Sequence, residues 1–396
     1  MCKKLLGFPL FCLFLALICA ENAKFQPIED RDFGWSLTVD ASSKAKRSRE
    51  APFPLAVQRR VAEGDEIHVE TDLVLSDILV QDKHGNPVVG LIPGDFEVTE
   101  NGRSQRIEVF GYGSNAVPRS IILIIDHSLS QWRYLDTSID AARILVDSLG
   151  PQDKMAIVSD DVKLIADLTA DKDLLKLGLE SLRDKSRRGE FGKSYQYSAL
   201  MAVLNERIRR DGTRNMVIFQ SDGDQFALIG SERSYGKGSY SFDDVIESAE
   251  RKGVTIYTVF TGANLGGLSR KEMFEHTKKV IEDESYAIAV VSAKKAAPGP
   301  IKLKSDYVIS RAERILMDEN AVCELARRTG GTAQSLSSPG RAPEIYANIL
   351  EDAGRRYVIG YYPMAPDRTT SRRDVRITVR KNKGYEVIGG RSYVAY

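Results

Sequence analysis

Hydrophobic positions along this chain change period several times, and the changes mark its organisation. Ile121-Ile-Leu-Ile-Ile125 is an unbroken apolar run, β-branched except at Leu123. Such a run reads as a strand buried on both faces. Residues 215–220 and 254–260 repeat the pattern. Between these runs the period lengthens. Leu135, Ile139, Ala142, Leu145, Val146 and Leu149 predict an amphipathic helix over 132–149, stopped at Gly150-Pro151. Further helices are predicted at 171–183, 195–210, 242–252 and 311–329, with short strands at 154–159, 162–168 and 332–336. Alternating strands and helices predict an α/β fold, a doubly wound and mainly parallel sheet.

The flanks are β-rich. Val69, Leu73, Leu75, Ile78 and Val80 suggest one or two strands, followed by the turn signal at 83–87. Two more strands, 95–99 and 105–110, join at Asn101-Gly102, a hairpin signal. After one more helical stretch, strands recur at 356–362, 374–380 and from 385. The two flanks are expected to pack together as one small accessory module. The resulting division is a leader at 1–20, a linker at 21–60, an N-terminal β module at 61–115, a central α/β domain at 116–340 and a C-terminal helix and strands at 341–396. Residues 262–308, with a charged helical piece at 270–284 and an apolar run at 287–291, read as an insertion in the central domain.

Charge changes this picture little. Lys and Arg number 56 against 55 Asp and Glu, which gives no reason to expect a nucleic-acid or acidic-lipid partner. The leader is more informative. Lys3 and Lys4 precede an apolar run from Leu5 to Cys19 that ends at Ala20, the pattern of an export signal cleaved near that point. The run is short for a bilayer span of about 20 residues. The chain is therefore expected to be secreted or periplasmic, with an uncleaved anchor as the alternative. Three of the four cysteines lie in the leader, so the mature chain would keep Cys323 alone, within an apolar helical pattern that suggests a small core residue.

Candidate chemistry sits at the end of the first buried strand. Asp126, Ser128 and Ser130 put one carboxylate and two hydroxyls at alternate positions. Ligands of open α/β sheets bind just beyond the carboxyl ends of strands. Asp222 holds the corresponding place after the strand at 215–220. Hard oxygen donors suit Mg²⁺, Mn²⁺ or Ca²⁺ rather than zinc or copper. His127 is read as a packing or surface residue, Trp132 as a helix-packing residue, and Asp224 as a solvated loop acid, with an outer position behind the metal as its alternative.

In Asp126-His-Ser-Leu-Ser130, Gln220-Ser-Asp-Gly-Asp224 and Gly253-Val-Thr-Ile-Tyr-Thr258 the chain resembles the von Willebrand factor A (VWA) domain. With Asp82–Leu91, Asp95–Gly102 and Arg356–Pro363 it resembles in particular the secreted bacterial VWFA-related family of acidobacterial type. The resemblance implies a metal-ion-dependent adhesion site (MIDAS). Ser128 and Ser130 would ligate the ion directly, Asp126 and Asp222 directly or through water. The family's Thr ligand corresponds to Ser194, which keeps the hydroxyl and loses the rotamer-limiting methyl. The implied cofactor is Mg²⁺, with Mn²⁺ or Ca²⁺ as alternatives. The implied partner is a protein donating an Asp or Glu carboxylate. Two other readings remain at this point, a metal-free scaffold used for assembly and a metal-dependent hydrolase. Against the hydrolase, the sequence carries no nucleophile elbow, zinc-protease motif or P-loop, and its four histidines are scattered.

Overall fold

The computed structural model describes residues 33–34, 36–37, 73–113, 118–208, 213–224, 240–293, 303–336, 338–363, 372–380, 384–390 and 392–394. The predicted leader and most of the predicted linker lie outside them.

The buried run lies inside a six-stranded sheet, and the central domain is laid against it. Strand β5 (Arg119–Ile125) is buried at every position. It pairs in parallel with β6 (Lys154–Ser159) on one side and β8 (Arg214–Ser221) on the other. Strand β7 (Lys163–Thr169) runs antiparallel beyond β6, while β9 (Thr255–Phe260) and β10 (Ala333–Ser335) extend the sheet in parallel beyond β8. The order is β10-β9-β8-β5-β6-β7.

Period-two alternation along β5 explains why helices cover both faces. Ile121, Leu123 and Ile125 pack with α1 (Leu135–Asp147), α2 (Lys172–Arg187) and α7 (Ala342–Gly354). Ile122 and Ile124 belong to the opposite layer, with α3 (Gln196–Glu206), α4 (Phe242–Lys252) and α6 (Ser305–Thr329). Helix ends follow local chemistry. The Asp171 carboxylate accepts from Asp173 N and Leu174 N to cap α2, and Gly253 and Gly330 close α4 and α6 in the left-handed conformation.

The flanks do come together. Strands β1 (Val74–Gln81), β4 (Val109–Tyr112), β11 (Tyr357–Tyr361) and β13 (Glu386–Ile388) form one antiparallel sheet, ordered β13-β1-β11-β4. Strands β2 (Phe96–Glu100), β3 (Arg103–Gln105), β12 (Arg372–Val379) and β14 (Ser392–Val394) form a second, ordered β14-β12-β2-β3. Phe96, Val98, Tyr357, Ile359 and Ile377 form a core shared by the two sheets. Arg214 of the central sheet donates to Asp77 of β1 at 2.8 Å, tying the module to the central domain.

Three details differ from the sequence reading. Part of the predicted linker is docked, because the Glu206 carboxylate accepts from Gly34 N, Ser36 N and Ser36 Oγ, and Phe33 lies against the Arg207 guanidinium. The inserted segment contains one continuous helix, α5 (Arg270–Ala293), where the sequence suggested a helical piece and a separate apolar run. Cys323 is exposed rather than in the core. It lies one step, about 100° of helix, from the buried Val322. Among the described residues no helix is long and apolar enough to cross a membrane.

Candidate metal centre

The parallel strands β5 and β8 end side by side, Ile125 opposite Gln220, and Asp126 N donates to Gln220 O at 2.9 Å. Their next residues therefore share one edge. From there a continuous hydrogen-bonded path runs across the candidate ligands. Ser128 N donates to Asp126 Oδ1 at 3.0 Å, the Ser128 and Ser130 hydroxyls lie 3.0 Å apart, and Ser130 Oγ donates to Asp222 Oδ2 at 2.7 Å. Asp126, Ser128, Ser130 and Asp222 are thus one cluster.

Ser194 is joined to Asp160 rather than to those four side chains. Its backbone is left-handed at φ +54°, and its N–H donates to Asp160 Oδ2 at 2.7 Å. The contact that brings this loop to the cluster is made by its amide.

Two residues that the sequence reading passed over complete the arrangement. Asp160, directly after β6, is fully buried and also accepts from His127 N at 2.8 Å, while Gly192 N donates to His127 O. It clamps the two loops that carry the candidate ligands. A Cβ on Gly192 would lie 2.6 Å from Asp160 Cγ and closer still to both carboxylate oxygens, so the loop approaches this closely only with glycine there. Gln196, in the first turn of α3, is fully buried, and its Nε2 donates to Asp126 Oδ2 at 2.6 Å and reaches Asp222 Oδ1 at 3.5 Å. Ser221 Oγ adds a 2.9 Å bond to Asp126 Oδ2. Asp160 carried a usable signal, a carboxylate at the same sheet edge as Asp126. Gln196 carried none, since an amide within a helix reads as ordinary sequence.

Neutral donors hold these carboxylates without removing their charge. Burial, followed by the charges of Asp222 and Asp160, holds the Asp126 carboxyl well above the ordinary range. Burial and then Asp224 raise Asp222, and burial and then Asp161 push Asp160 to about 7. Gln196 Oε1 is buried without a hydrogen-bond partner. Closely spaced hard oxygens and repelling carboxylates are what a small divalent cation would satisfy. The donor set fits. Among the described residues no group of three or more His, Cys, Asp and Glu side chains could hold a metal ion, so a cation here would rest on hydroxyls as much as on carboxylates.

The surroundings are acidic and partly closed. Asp224 is not a solvated loop acid. Its carboxylate accepts from Arg311 Nη2 at 3.1 Å and lies 3.7 Å from Arg314 Nε. His127 is buried, with Nε2 2.9 Å from Leu182 O, in a packing role. Trp132 lies across from Tyr286 of α5, ring centroids 5.9 Å apart.

Asp318 of α6 borders the same acidic cavity, and burial, then the Asp224 charge, pushes it to about 7 from 3.8. Between these values the unfolded carboxyl ionises while the native one stays protonated, so the native state loses ground as pH rises from about 4 to 7. Asp318→Asn removes this contribution. The expected result is a stability advantage of the variant over wild type that grows across that window and is constant above it, read from urea midpoints at each pH. A difference independent of pH would contradict it.

No family model matches this chain, and no curated protein matches it. Solved structures do. A von Willebrand factor type A protein from Catenulispora acidiphila is 11% identical with a TM-score of 0.38, covering 82% of this chain and 73% of its own. The conserved hypothetical protein BatB from Bacteroides thetaiotaomicron is 15% identical with a TM-score of 0.35, covering 59% and 98%. The manganese-loaded TRAP protein of Plasmodium vivax is 12% identical with a TM-score of 0.31, covering 75% and 97%. Among solved structures, what this chain is similar to includes von Willebrand factor A proteins.

Proposed function

We propose that this chain is an exported VWA-type protein that holds a divalent cation at Asp126, Ser128, Ser130 and Asp222 and binds a partner protein through it, without catalysing a reaction. The supporting observation is the hydrogen-bonded path at one sheet edge from Asp126, through the Ser128 amide and both serine hydroxyls, to Asp222. The ion would be Mg²⁺, with Mn²⁺ or Ca²⁺ as alternatives. Bound there, it would supply an electrophilic position for an oxygen from outside, and a partner's Asp or Glu carboxylate is the natural donor. The protein's part is to hold the donors. Gln196 and Ser221 fix Asp126, and Asp160 fixes the loops on either side. The imidazole beside these ligands is not placed to act as a general base. His127, the nearest imidazole in sequence, spends Nε2 on a backbone carbonyl, and burial lowers its pKa.

The Gln196 contact favours a second reading, a metal-free scaffold in which the amide already serves the carboxylates. Thermal unfolding separates the two. An ion that binds the native state alone at a hundredfold excess over its Kd stabilises it by about 2.7 kcal/mol. The proposal predicts that millimolar Mg²⁺ or Mn²⁺ raises Tm by about 3–4 °C for a chain of this length. An unchanged Tm would leave the scaffold.

A further inference from the structure

One side of the accessory module ends in an unpaired strand edge. Strand β12 pairs with β2 at residues 375–379, but β14 reaches only residues 372–374 on its other side. Arg380 N donates to Asp95 O and Asn101 N to Asp374 O, so even-numbered residues turn their backbone groups toward β2. Antiparallel alternation then turns the N–H and C=O of Ile377 and Val379 away from it. Among the described residues no strand pairs with them there. A groove of about 890 Å³ runs beside this edge, lined by residues of β12 and β13.

The two faces of the edge differ in chemistry. Ile377 and Val379 belong to the module core, whereas Arg376, Thr378 and Arg380 are exposed. The two arginines stand four residues apart, and neither makes an ion pair among the described residues. Glu97, opposite Thr378, and Glu386 line the same groove without pairing with them. Such an edge suits an extended segment with apolar residues at one parity and acids four apart at the other.

Glu66-Ile-His-Val-Glu70 has that pattern. It lies in residues 38–72, outside the described residues and directly before Leu73. Direction fits as well. A Cβ on Gly390 would meet Ser76, Ile78 and Ile377, and Glu386 pairs with Gln81, so β1 runs beside β12 in the same sense. Chain that leaves the groove to enter β1 at Val74 therefore runs antiparallel to β12. Setting Glu66 opposite Arg380 and Glu70 opposite Arg376 brings Ile67 to Val379 and Val69 to Ile377. The four steps from residue 70 to Val74 span about 13 Å, against ~10 Å between stacked sheets.

We propose that residues 66–70 add to β12 as an antiparallel strand of the same chain, with Glu66 on Arg380 and Glu70 on Arg376. The added strand covers the edge and withholds it from other chains. The inference is independent of the cation.

Oxidative cross-linking of the mature protein tests the register. His68→Cys with Thr378→Cys, in a Cys323→Ser background, sets two thiols at a non-hydrogen-bonded pair. Cα atoms of such a pair lie about 4.5 Å apart, within disulfide reach. Amide exchange at residues 375–380, without the cysteine substitutions, is the second measurement. The expected results are a disulfide within single chains and slow exchange at Ile377 and Val379. Glu66→Lys with Glu70→Lys should speed that exchange about tenfold, as two ion pairs become repulsions. Adding Arg376→Glu and Arg380→Glu should restore it. A disulfide formed only between chains would assign the edge to a second copy and overturn the proposal. Absence of the disulfide, or exchange indifferent to the charge reversal, would overturn it as well.

Discussion

Asp126→Asn is expected to abolish stabilisation by Mg²⁺ or Mn²⁺ while leaving the metal-free protein at least as stable as wild type. Two opposed terms meet at this position. The Asp126 carboxylate accepts from Ser128 N, Gln196 Nε2 and Ser221 Oγ, which favours keeping an acceptor there. It is also buried against Asp222 and Asp160, which disfavours its charge. Asparagine keeps one acceptor oxygen and removes the charge, so without metal the two effects offset. With metal, the lost anion removes a hard donor that neutral amides replace poorly. Asp126→Ala separates the terms differently. It strands three donors, at a cost of about 1–3 kcal/mol for each that finds no water. Equal metal responses from wild type and both variants would remove Asp126 from the site.

Gly192→Ala is expected to be among the most damaging single changes in the chain. The glycine does not owe its place to an unusual φ. Its added Cβ would stand 2.6 Å from Asp160 Cγ, inside contact distance of the whole carboxylate. The carboxylate oxygens are fixed by His127 N and Ser194 N, so relief requires breaking one of the bonds that hold the candidate ligand loops. Overpacking of a rigid interior typically costs about 1–3 kcal/mol, and a buried carboxylate pushed off its donors adds to that. We expect a loss of about 3 kcal/mol or more in urea unfolding. In an Asp160→Ala background the same substitution should cost much less, since the clash is gone. A cost under about 0.5 kcal/mol in the wild-type background, the range of ordinary surface changes, would mean that the loop yields freely.

The legibility of the sequence tracks how local each signal is. Strand β5 could be read because five consecutive apolar residues, four of them β-branched, leave a buried strand as the natural reading. Asp126, Ser128 and Ser130 follow it directly, and Asp222 follows β8 in the same way, so strand ends alone bring them to one edge. Asp160 follows a strand too, yet its importance depends on Gly192 and Ser194 coming from a loop more than 30 residues on, as its bond to Ser194 shows. Gln196 reads as any amide within a helix, and only the fold points it at Asp126. Ser194 was legible as a position and not as a geometry, because hydroxyl or amide contact is decided by its left-handed backbone. Asp224 looks solvated beside Gly223, and its partners Arg311 and Arg314 come from the far end of the domain. In α6 the periodicity was real but the phase was off by one at Cys323.

The function proposed for this chain turns on Asp126, Ser128, Ser130 and Asp222 forming one cation site. Calorimetric titration of Mn²⁺ into the metal-free mature protein, wild type beside Asp126→Asn and Asp222→Asn, tests it most directly. The predicted result is a single saturable site per chain in wild type and its loss in both variants. No binding at millimolar Mn²⁺, or binding that survives both substitutions, would contradict it.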